Sequence, residues 1–203
     1  MIEYLIVCPL VFLAGFIDAI AGGGGLISLP AYLIAGLPPH AAIGTNKFSA
    51  CLGTMVATWH FARNGIIYWK HALPAVVTAL AGSWLGAEIA LWVNADAFKV
   101  VMLIVLPLTG GYVLFKNPFC SDKKPFSDAK TILITLALAF LIGIYDGFYG
   151  PGTGTFLILL LTAVAHVSLN EAAGTTKVIN LSTNISALVV FLLHGVVWFP
   201  LAL

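Results

Sequence analysis

Long apolar stretches, interrupted by a few glycines and isolated charges, make up most of the chain. The stretches without a charged residue cover 19–46, 71–87, 100–115, 131–145, 147–170 and 178–203. Several of them match the roughly 20 residues that a helix needs to cross a bilayer. Leu, Ala, Gly and Phe do not alternate with polar residues at a period of two, as they would in the strands of a membrane barrel. The pattern therefore predicts membrane helices.

We predict six long spans and two shorter apolar segments. The spans cover 3–20, 42–62, 71–93, 97–115, 131–149 and 174–194. The short segments, at 26–36 and 154–168, each follow a glycine-rich break, and an incomplete apolar stretch ends the chain. A polar stretch at 116–130 separates the two groups of segments and holds six of the 17 charged residues. The first span lacks a basic start and a small-residue cleavage pattern, so we expect it to be retained.

Composition supports a membrane protein and excludes several other classes. Only 8% of the residues are charged and 61% are hydrophobic, whereas soluble domains have about 25% charged residues. So few charges cannot cover a water-soluble surface, which excludes a soluble enzyme and a disordered chain. A net charge of +1 provides no basic surface for nucleic acid. The cysteines have no metal or redox spacing, and we expect no cofactor and no metal.

Basic residues in the loops predict the orientation of the chain. One connection carries Arg63 and Lys70, and the polar stretch carries Lys116, Lys123, Lys124 and Lys130. Two spans separate these loops, so both lie on one side, whereas the opposite turn has only Lys99. The positive-inside rule makes the first side cytoplasmic. We therefore expect a multi-pass protein of the plasma or inner membrane.

Two parts of the sequence resemble each other, which predicts an internal duplication. GFIDAIAGGGG (15–25) resembles GIYDGFYGPGT (143–153) at an offset of 128, and AIGTNKFSA (42–50) resembles AAGTTKVIN (172–180) at an offset of 130. We predict a first membrane repeat at 1–129 and an incomplete second repeat at 130–203. Two full units would end at about residue 258, so we expect a C-terminally incomplete chain.

Four ionisable residues lie at matched positions between apolar residues: Asp18, Lys47, Asp146 and Lys177. One charge at the centre of a membrane helix costs about 2.5–3.5 kcal/mol on insertion scales. These residues must therefore be paired, solvated in a cavity, or near the interface. One interpretation is a pair of Asp–Lys bridges that lock each repeat together, and the other is a polar cavity between the repeats. The two are compatible, since a lysine can bind aspartate at rest and an anion in transit.

The glycine-rich breaks at 22–25 and 150–154 predict where a substrate binds. Non-helical backbone at membrane depth is tolerated only when it is buried in protein or lines a water-filled cavity. A half-helix that restarts after each break presents free N–H groups and a partial positive charge, which suit an anion. Paired interruptions of this kind indicate the binding site of a transporter. The alternative is close helix packing through small residues.

Polar residues near the two lysines extend this candidate site. Lys177, Asn180 and Asn184 share one helix face at i, i+3 and i+7. They line a path in one interpretation and hydrogen-bond to neighbouring helices in the other. The complete candidate substrate site is Asp18, Gly22, Gly23, Gly24, Gly25, Thr45, Asn46, Lys47, Asp146, Gly150, Gly152, Thr153, Thr175, Lys177, Asn180 and Asn184.

Other ionisable residues give weaker signals. His60, His166 and His194 are not repeated as histidines and share no ligand spacing. We interpret them as packed, hydrogen-bonded residues. Glu88 would be an exception if it faced the cavity, where its carboxyl group could carry a coupling proton.

Longer motifs carry a family resemblance. DAIAGGGGLISLPAYLIAGLPPHAAIGTNK, YDGFYGPGTGTF and GTTKVINLSTNISAL resemble the TauE/SafE family of membrane permeases, and most closely its YfcA-like branch. The resemblance implies export or exchange of small sulfur-oxide or organosulfur anions such as sulfite, sulfoacetate or related sulfonates. It also implies further spans that complete the second repeat in longer members.

The sequence therefore predicts an all-α, polytopic membrane bundle that acts as a secondary transporter for a small anion. A proton is the candidate coupling ion, and the oligomeric state is open. An intramembrane enzyme is one alternative, but the chain has neither a G-x-S-x-G nor an H-E-x-x-H motif. A passive anion channel or a structural membrane subunit is another.

The number of crossings also stays open. If the two short segments are re-entrant, each repeat crosses four times and the repeats are parallel. If both segments span, each repeat crosses five times and the repeats are inverted.

Overall fold

A computed structural model describes residues 2–21, 23–115 and 125–202, and every regular element in these ranges is a helix. This confirms the predicted all-α class. The helices are α1 Ile2–Ala21, α2 Gly25–Ile34, α3 Pro39–Arg63, α4 Trp69–Trp92, α5 Ala95–Phe115, α6 Asp128–Phe148, α7 Thr153–Ala163, α8 Leu169–Leu193 and α9 Phe199–Ala202. Most of the predicted polar stretch, including Lys116, Lys123 and Lys124, lies outside the described residues.

The helices after the two glycine breaks are half-helices. α2 has 10 residues and α7 has 11, so each is only about 15–17 Å long at 1.5 Å per residue. The hydrocarbon core of a bilayer is about 30 Å thick. Neither helix is therefore long enough to cross a bilayer by itself, as the sequence pattern predicts. Among the described residues, α4, α6 and α8 are long and apolar enough to cross a bilayer.

One helix start differs from the prediction by more than a turn. α8 begins at Leu169, five residues before the predicted 174, because Ser168 caps it and accepts a hydrogen bond from the Glu171 N–H at 3.3 Å. An N-cap serine and an acidic residue in the first turn are typical of a helix start. The apolar pattern alone places the start too late because this first turn is polar.

Helices α4, α6 and α8 all begin on the same side of the molecule. Lys70 and Asp128 form an ion pair between the first turns of α4 and α6. His71 contacts Glu171 in the first turn of α8 through Nδ1, and its Nε2 lies 3.8 Å from Asp128. This cluster lies on the side that the basic loops predict to be cytoplasmic. The sequence pattern did not predict it, because its members are far apart along the chain.

Helix directions follow from which residues meet. Along α4 and α6 the contacting positions rise together, from Gly82 against Phe140 to Gly86 against Ile144, so these helices are parallel. α3 and α8 are antiparallel. Gly44 near the start of α3 lies against Val196, just after α8, and Gly174 near the start of α8 lies against Ile66, just after α3.

Backbone contact through glycine holds α4 against α6. A Cβ atom placed on Gly82 would lie 2.2 Å from the Phe140 carbonyl oxygen, and one on Gly86 would lie 2.1 Å from that of Ile144. A Cβ on Gly147 would lie 2.0 Å from the Ser83 carbonyl oxygen. Small residues four apart let membrane helices approach closely and gain van der Waals contact. The two helices therefore pack at a separation that only glycine permits.

We predict that Gly147→Ala destabilises the bundle by about 1–3 kcal/mol, since the added methyl group forces α4 and α6 apart. Thermal unfolding in detergent micelles measures the effect. Gly53→Ala is the matched control, because a Cβ at Gly53 meets nothing within 4 Å and alanine favours the helix. Equal stability of the two variants would contradict the close packing.

Candidate functional site

The two glycine breaks meet around one cavity. A Cβ on Gly25 would lie 3.2 Å from Pro151 Cα, and one on Gly23 would lie 3.7 Å from Thr155 Oγ1. The cavity beside them has a volume of about 70 Å³, enough for a few water molecules or a small anion. Its polar and glycine lining comes from both halves of the chain: Gly15, Asp18, Gly23, Gly24, Gly25, Ser28, Asn46, Lys47, Ser49, Gly53, Asp146, Gly150, Gly152, Thr153, Gly154, Asn180 and Asn184.

A buried ion pair lies at this cavity. Lys47 of α3, only 1% exposed, donates to Asp146 Oδ2 of α6 at 2.7 Å and to Asn184 Oδ1 of α8 at 3.1 Å. A charge this deeply buried is tolerated when it is paired and its remaining protons are hydrogen-bonded. Lys47 thus links three helices at the edge of the cavity.

Both carboxylate oxygens of Asp146 have partners. Asp146 Oδ1 lies 2.7 Å from the Thr153 hydroxyl group, which is also 2.6 Å from the Gly150 carbonyl oxygen. Gly150 has a φ of +100°, and a Cβ atom there would lie 2.9 Å from Lys47 Nζ. The backbone conformation therefore favours glycine at position 150, and a side chain there would also crowd the lysine.

Asp18 occupies the amide groups at the first break. Its Oδ1 accepts hydrogen bonds from the Gly23 and Gly24 N–H groups at 2.9 Å and 3.2 Å. The sequence predicts that free N–H groups at the start of α2 bind an anion. The structure differs, because a carboxylate of the chain itself takes these two donors. An incoming anion would have to compete with Asp18 for them.

Lys177 makes a different kind of contact from Lys47. It is 2% exposed, and its Nζ donates to the main-chain carbonyl oxygen of Asp18 at 2.7 Å. It also lies 5.7 Å from the centre of the Phe61 ring, within the range of a cation–π interaction. Among the residues that the structure describes, no carboxylate lies within 4.0 Å of Lys177 Nζ. Lys177 is also not part of the cavity lining.

Each lysine reaches the aspartate segment of the other half. Lys47 of the first half binds Asp146 of the second, and Lys177 of the second half binds the backbone at Asp18 of the first. The interpretation in which Asp–Lys bridges lock each repeat internally therefore has to be corrected. The buried contacts connect the two halves, because α3 and α8 lie side by side in antiparallel orientation.

The remaining predicted site residues are divided between the cavity and its surroundings. Asn46, Asn180 and Asn184 line the cavity. Thr45 and Thr175 do not: Thr45 Oγ1 accepts from the Trp198 N–H at 3.0 Å, and Thr175 Oγ1 is buried without a hydrogen-bond partner among the described atoms. The remaining candidate, Gly22, lies outside the described residues.

The sequence reasoning missed two serines of the cavity lining. Ser28 donates to Asn46 Oδ1 at 2.5 Å, and Ser49 lies 3.0 Å from the Tyr32 hydroxyl group. A hydroxyl group in the first turn of an apolar half-helix was a usable signal for Ser28. The internal duplication does not indicate Ser28, because the matched position at an offset of 128 is the apolar Phe156.

The weaker candidates lie outside the cavity. His166 stacks on Phe126 at 4.1 Å between ring centres, and His194 Nδ1 lies 2.9 Å from the Val190 carbonyl oxygen at the end of α8. Glu88 is not among the residues that line the described cavity. A role of Glu88 in proton coupling required that its carboxyl group face the cavity, and it does not line the cavity described here.

The sequence is similar to a known protein family along most of its length. The sequence profile of the sulfite exporter TauE/SafE family matches residues 7–203. The chain belongs to this family. It is 41% identical to a probable membrane transporter protein, ORF9, of Sinorhizobium sp. over 192 residues, which cover 95% of this chain and 73% of that protein. No solved structure matches the chain.

Two further relatives place this TauE/SafE chain in the YfcA-like branch. A probable membrane transporter protein of Haemophilus influenzae is 36% identical, covering 92% of this chain and 73% of the relative. The probable membrane transporter protein YfcA of Escherichia coli K12 is 34% identical, covering 92% and 69%. Together with the apolar helices, these relatives support an integral membrane transporter, and their names give no indication of an enzyme.

We predict that Lys47→Met destabilises the protein by about 3–5 kcal/mol, because it leaves the buried Asp146 carboxylate without its countercharge. A second change, Asp146→Leu in the Lys47→Met background, should recover much of this loss. Unfolding in detergent micelles measures both variants. Lys70→Met, which removes an exposed ion pair, should change stability little. A Lys47→Met variant as stable as Lys70→Met would contradict the buried pair.

Proposed function

We propose that this TauE/SafE chain carries the binding site of a secondary transporter that moves a small anion across a plasma or inner membrane as a multi-pass protein. The observation that carries the proposal is the meeting of two glycine breaks at a polar cavity beside the buried Lys47. The cavity of about 70 Å³ suits an anion of a few heavy atoms. Sulfite or a small sulfonate fits this size and charge, and the family description names a sulfite exporter.

Lys47 is the residue that would recognise the charge of the anion. Its ammonium group already binds an anionic oxygen, that of Asp146, and the side chains of Asn180 and Asn184 supply further polar groups around the cavity. A substrate oxygen would replace the Asp146 carboxylate as the partner of Lys47. The site is therefore built around an exchange between two anions.

A proton would make this exchange possible. An anion and the ionised carboxylate of Asp146 would repel each other at contact distance. Protonation of Asp146 removes that repulsion and frees Lys47 for the substrate, so we expect the anion to bind together with a proton. The protonated carboxyl group can still hydrogen-bond to the Thr153 hydroxyl group, which lies 2.7 Å from its Oδ1.

We further propose that the two halves are inverted repeats. Supporting this, the contact between Gly44 and Val196 has its equivalent, at the offset of 130, in the contact between Gly174 and Ile66. The pair of Lys47 with Asp146 corresponds to the contact of Lys177 with Asp18, at offsets of 130 for the lysines and 128 for the aspartates. The antiparallel orientation of α3 and α8 favours the scheme of five crossings over the one of four. Inverted repeats are the usual basis of alternating access.

The difference between the two halves suggests how access alternates. In the state described here, Lys47 binds the Asp146 carboxylate, whereas Lys177 binds only the main-chain carbonyl of Asp18. In the opposite state the roles would exchange. Lys177 would bind the Asp18 carboxylate, and the Asp146 carboxylate would turn to the amide groups at the second break.

We expect the protein in proteoliposomes to take up radiolabelled sulfite faster when the medium is acidified relative to the lumen. Lys47→Ala should lower this uptake about 10- to 100-fold, the effect of losing a charged hydrogen-bond partner. Lys70→Ala, at an exposed ion pair, is the control and should retain uptake. Uptake that neither saturates nor responds to the proton gradient would indicate a channel, and unchanged uptake in Lys47→Ala would refute the proposed site.

The exchange of roles predicts opposite effects of two matched substitutions. In a protein whose only cysteine replaces Ser49 in the cavity lining, Asp18→Asn should favour the described state, because it weakens the alternative pair with Lys177. Asp146→Asn should favour the opposite state. The rate of labelling by a membrane-impermeant thiol reagent should therefore change in opposite directions. Equal shifts in both variants would contradict the exchange.

A further inference from the structure

Helix α1 presents an apolar face that no other described residue covers. Phe12, Gly15, Phe16 and Ala19 lie at i, i+3, i+4 and i+7, on one side of the helix. Phe12 is 79% exposed and Phe16 is 60% exposed. A Cβ atom on Gly15 would meet nothing within 4 Å. Phe12, Phe16 and Ala19 form an exposed apolar strip around Gly15, which also borders the cavity.

The matching face of α6 is covered. At the offset of 128, the four positions correspond to Phe140, Gly143, Ile144 and Gly147. These are the positions through which α6 contacts α4. The Phe140 and Ile144 carbonyl oxygens lie against Gly82 and Gly86, and Gly143 and Gly147 lie against the turn around Ser83. The face that α4 covers on α6 is therefore the one that stays open on α1.

A short helix, α9, packs against α3, where the Phe199 ring meets the Phe48 ring edge-to-face at 5.6 Å between ring centres. α9 begins at Phe199, which corresponds to Trp69, the first residue of α4, at the offset of 130. Leu201 of α9 is buried in the same apolar cluster as Val7 of α1. α4 runs parallel to α6 from an equivalent start, where Lys70 pairs with Asp128. A helix that continued α9 in the same way would run along the open face of α1.

We propose that the Phe12–Gly15–Phe16–Ala19 face of α1 is the docking surface for a parallel apolar membrane helix with small residues four apart. Such a helix would repeat the contact of α4 with α6. This chain covers 73% of the Sinorhizobium protein, so the unmatched part of that relative is long enough to contain such a helix. The inference rests on the proposed duplication. Gly15 also borders the cavity, but the helix contact itself does not require anion transport.

The spacing of small residues distinguishes this occupant from lipid or a second copy. Gly15 and Ala19 match the α6 glycines that admit the backbone of another helix to within 2–3 Å of an added Cβ position. A lipid chain has no backbone that could make the helix-to-helix contact that small residues permit. A second α1 would have to place Phe12 and Phe16 against each other, whereas the α4 helix presents Gly82 and Gly86 to the bulky positions of α6.

The test extends the full chain beyond Leu203 with a copy of residues 74–92 of α4, which keeps the offset of 130. One cysteine replaces Ala19 and a second replaces the copied Ser83, in a background without other cysteines. The equivalents of these two positions, Gly147 and Ser83, contact each other. Disulfide formation in the membrane should join the pair within one chain. Leu13→Cys in place of Ala19→Cys is the control and should not react, because Leu13 lies on another face.

Gly15→Leu should lower the cross-linking yield about tenfold, as expected when packing worth about 1–2 kcal/mol is lost. Sulfite uptake is not part of this readout, so a failure here and a failure of the transport proposal are distinguishable. Absence of the cross-link would overturn the inference. Cross-links between Ala19→Cys residues of two unextended chains would overturn it as well, since a second copy would then cover the face.

Discussion

The cost of placing a charge inside a membrane is the constraint on which the rest of the site depends. Lys47 is almost completely buried, and its charged ammonium group is stabilised there because Asp146 and Asn184 both accept hydrogen bonds from it. Those acceptors come from α6 and α8, so the single charge connects three helices. Two further residues support this ion pair. Gly150 leaves space for the lysine, and the Thr153 hydroxyl group binds the second carboxylate oxygen of Asp146.

Glycine serves two different purposes in this fold. At Gly23 and Gly150 it has a positive φ and ends a helix inside the protein, which exposes polar backbone that the cavity or a carboxylate must satisfy. At Gly82 and Gly147 it stays helical and lets two backbones touch. The first use creates the site, and the second holds α6, which carries Asp146, rigidly against α4. Helix interruption and close helix packing are alternative explanations of a glycine-rich stretch, and this chain uses each in a different place.

Local patterns predicted much of the fold, and contacts between distant segments explain what they missed. The half-helices, and the position of Asp18, Lys47 and Asp146 around one cavity, follow from apolar runs, breaks and isolated charges that are visible within short stretches of the chain. Which lysine binds which aspartate depends on the antiparallel packing of α3 and α8, and no local pattern records that packing. The hydrogen bonds from the Gly23 and Gly24 N–H groups to Asp18 are local contacts. The sequence prediction leaves these N–H groups free for a substrate and does not consider that a carboxylate five residues earlier in the chain can accept from them.

Residues that differ between the halves explain why the two lysines have different partners. Asn184 corresponds to Thr54 at the offset of 130. Asn184 offers an amide oxygen to Lys47, whereas the Thr54 hydroxyl group donates to the Ala50 carbonyl oxygen of its own helix at 2.8 Å. Lys47 therefore has two side-chain acceptors and Lys177 has a main-chain one. Because a buried ammonium group needs its protons satisfied, this one amide biases the buried ion pair toward Asp146. The free-energy difference that favours this pairing is that of one hydrogen bond from a charged donor, about 1.5–3 kcal/mol. In the proposed exchange, a ligand would have to bind the other arrangement more tightly by more than this amount to reverse the preference.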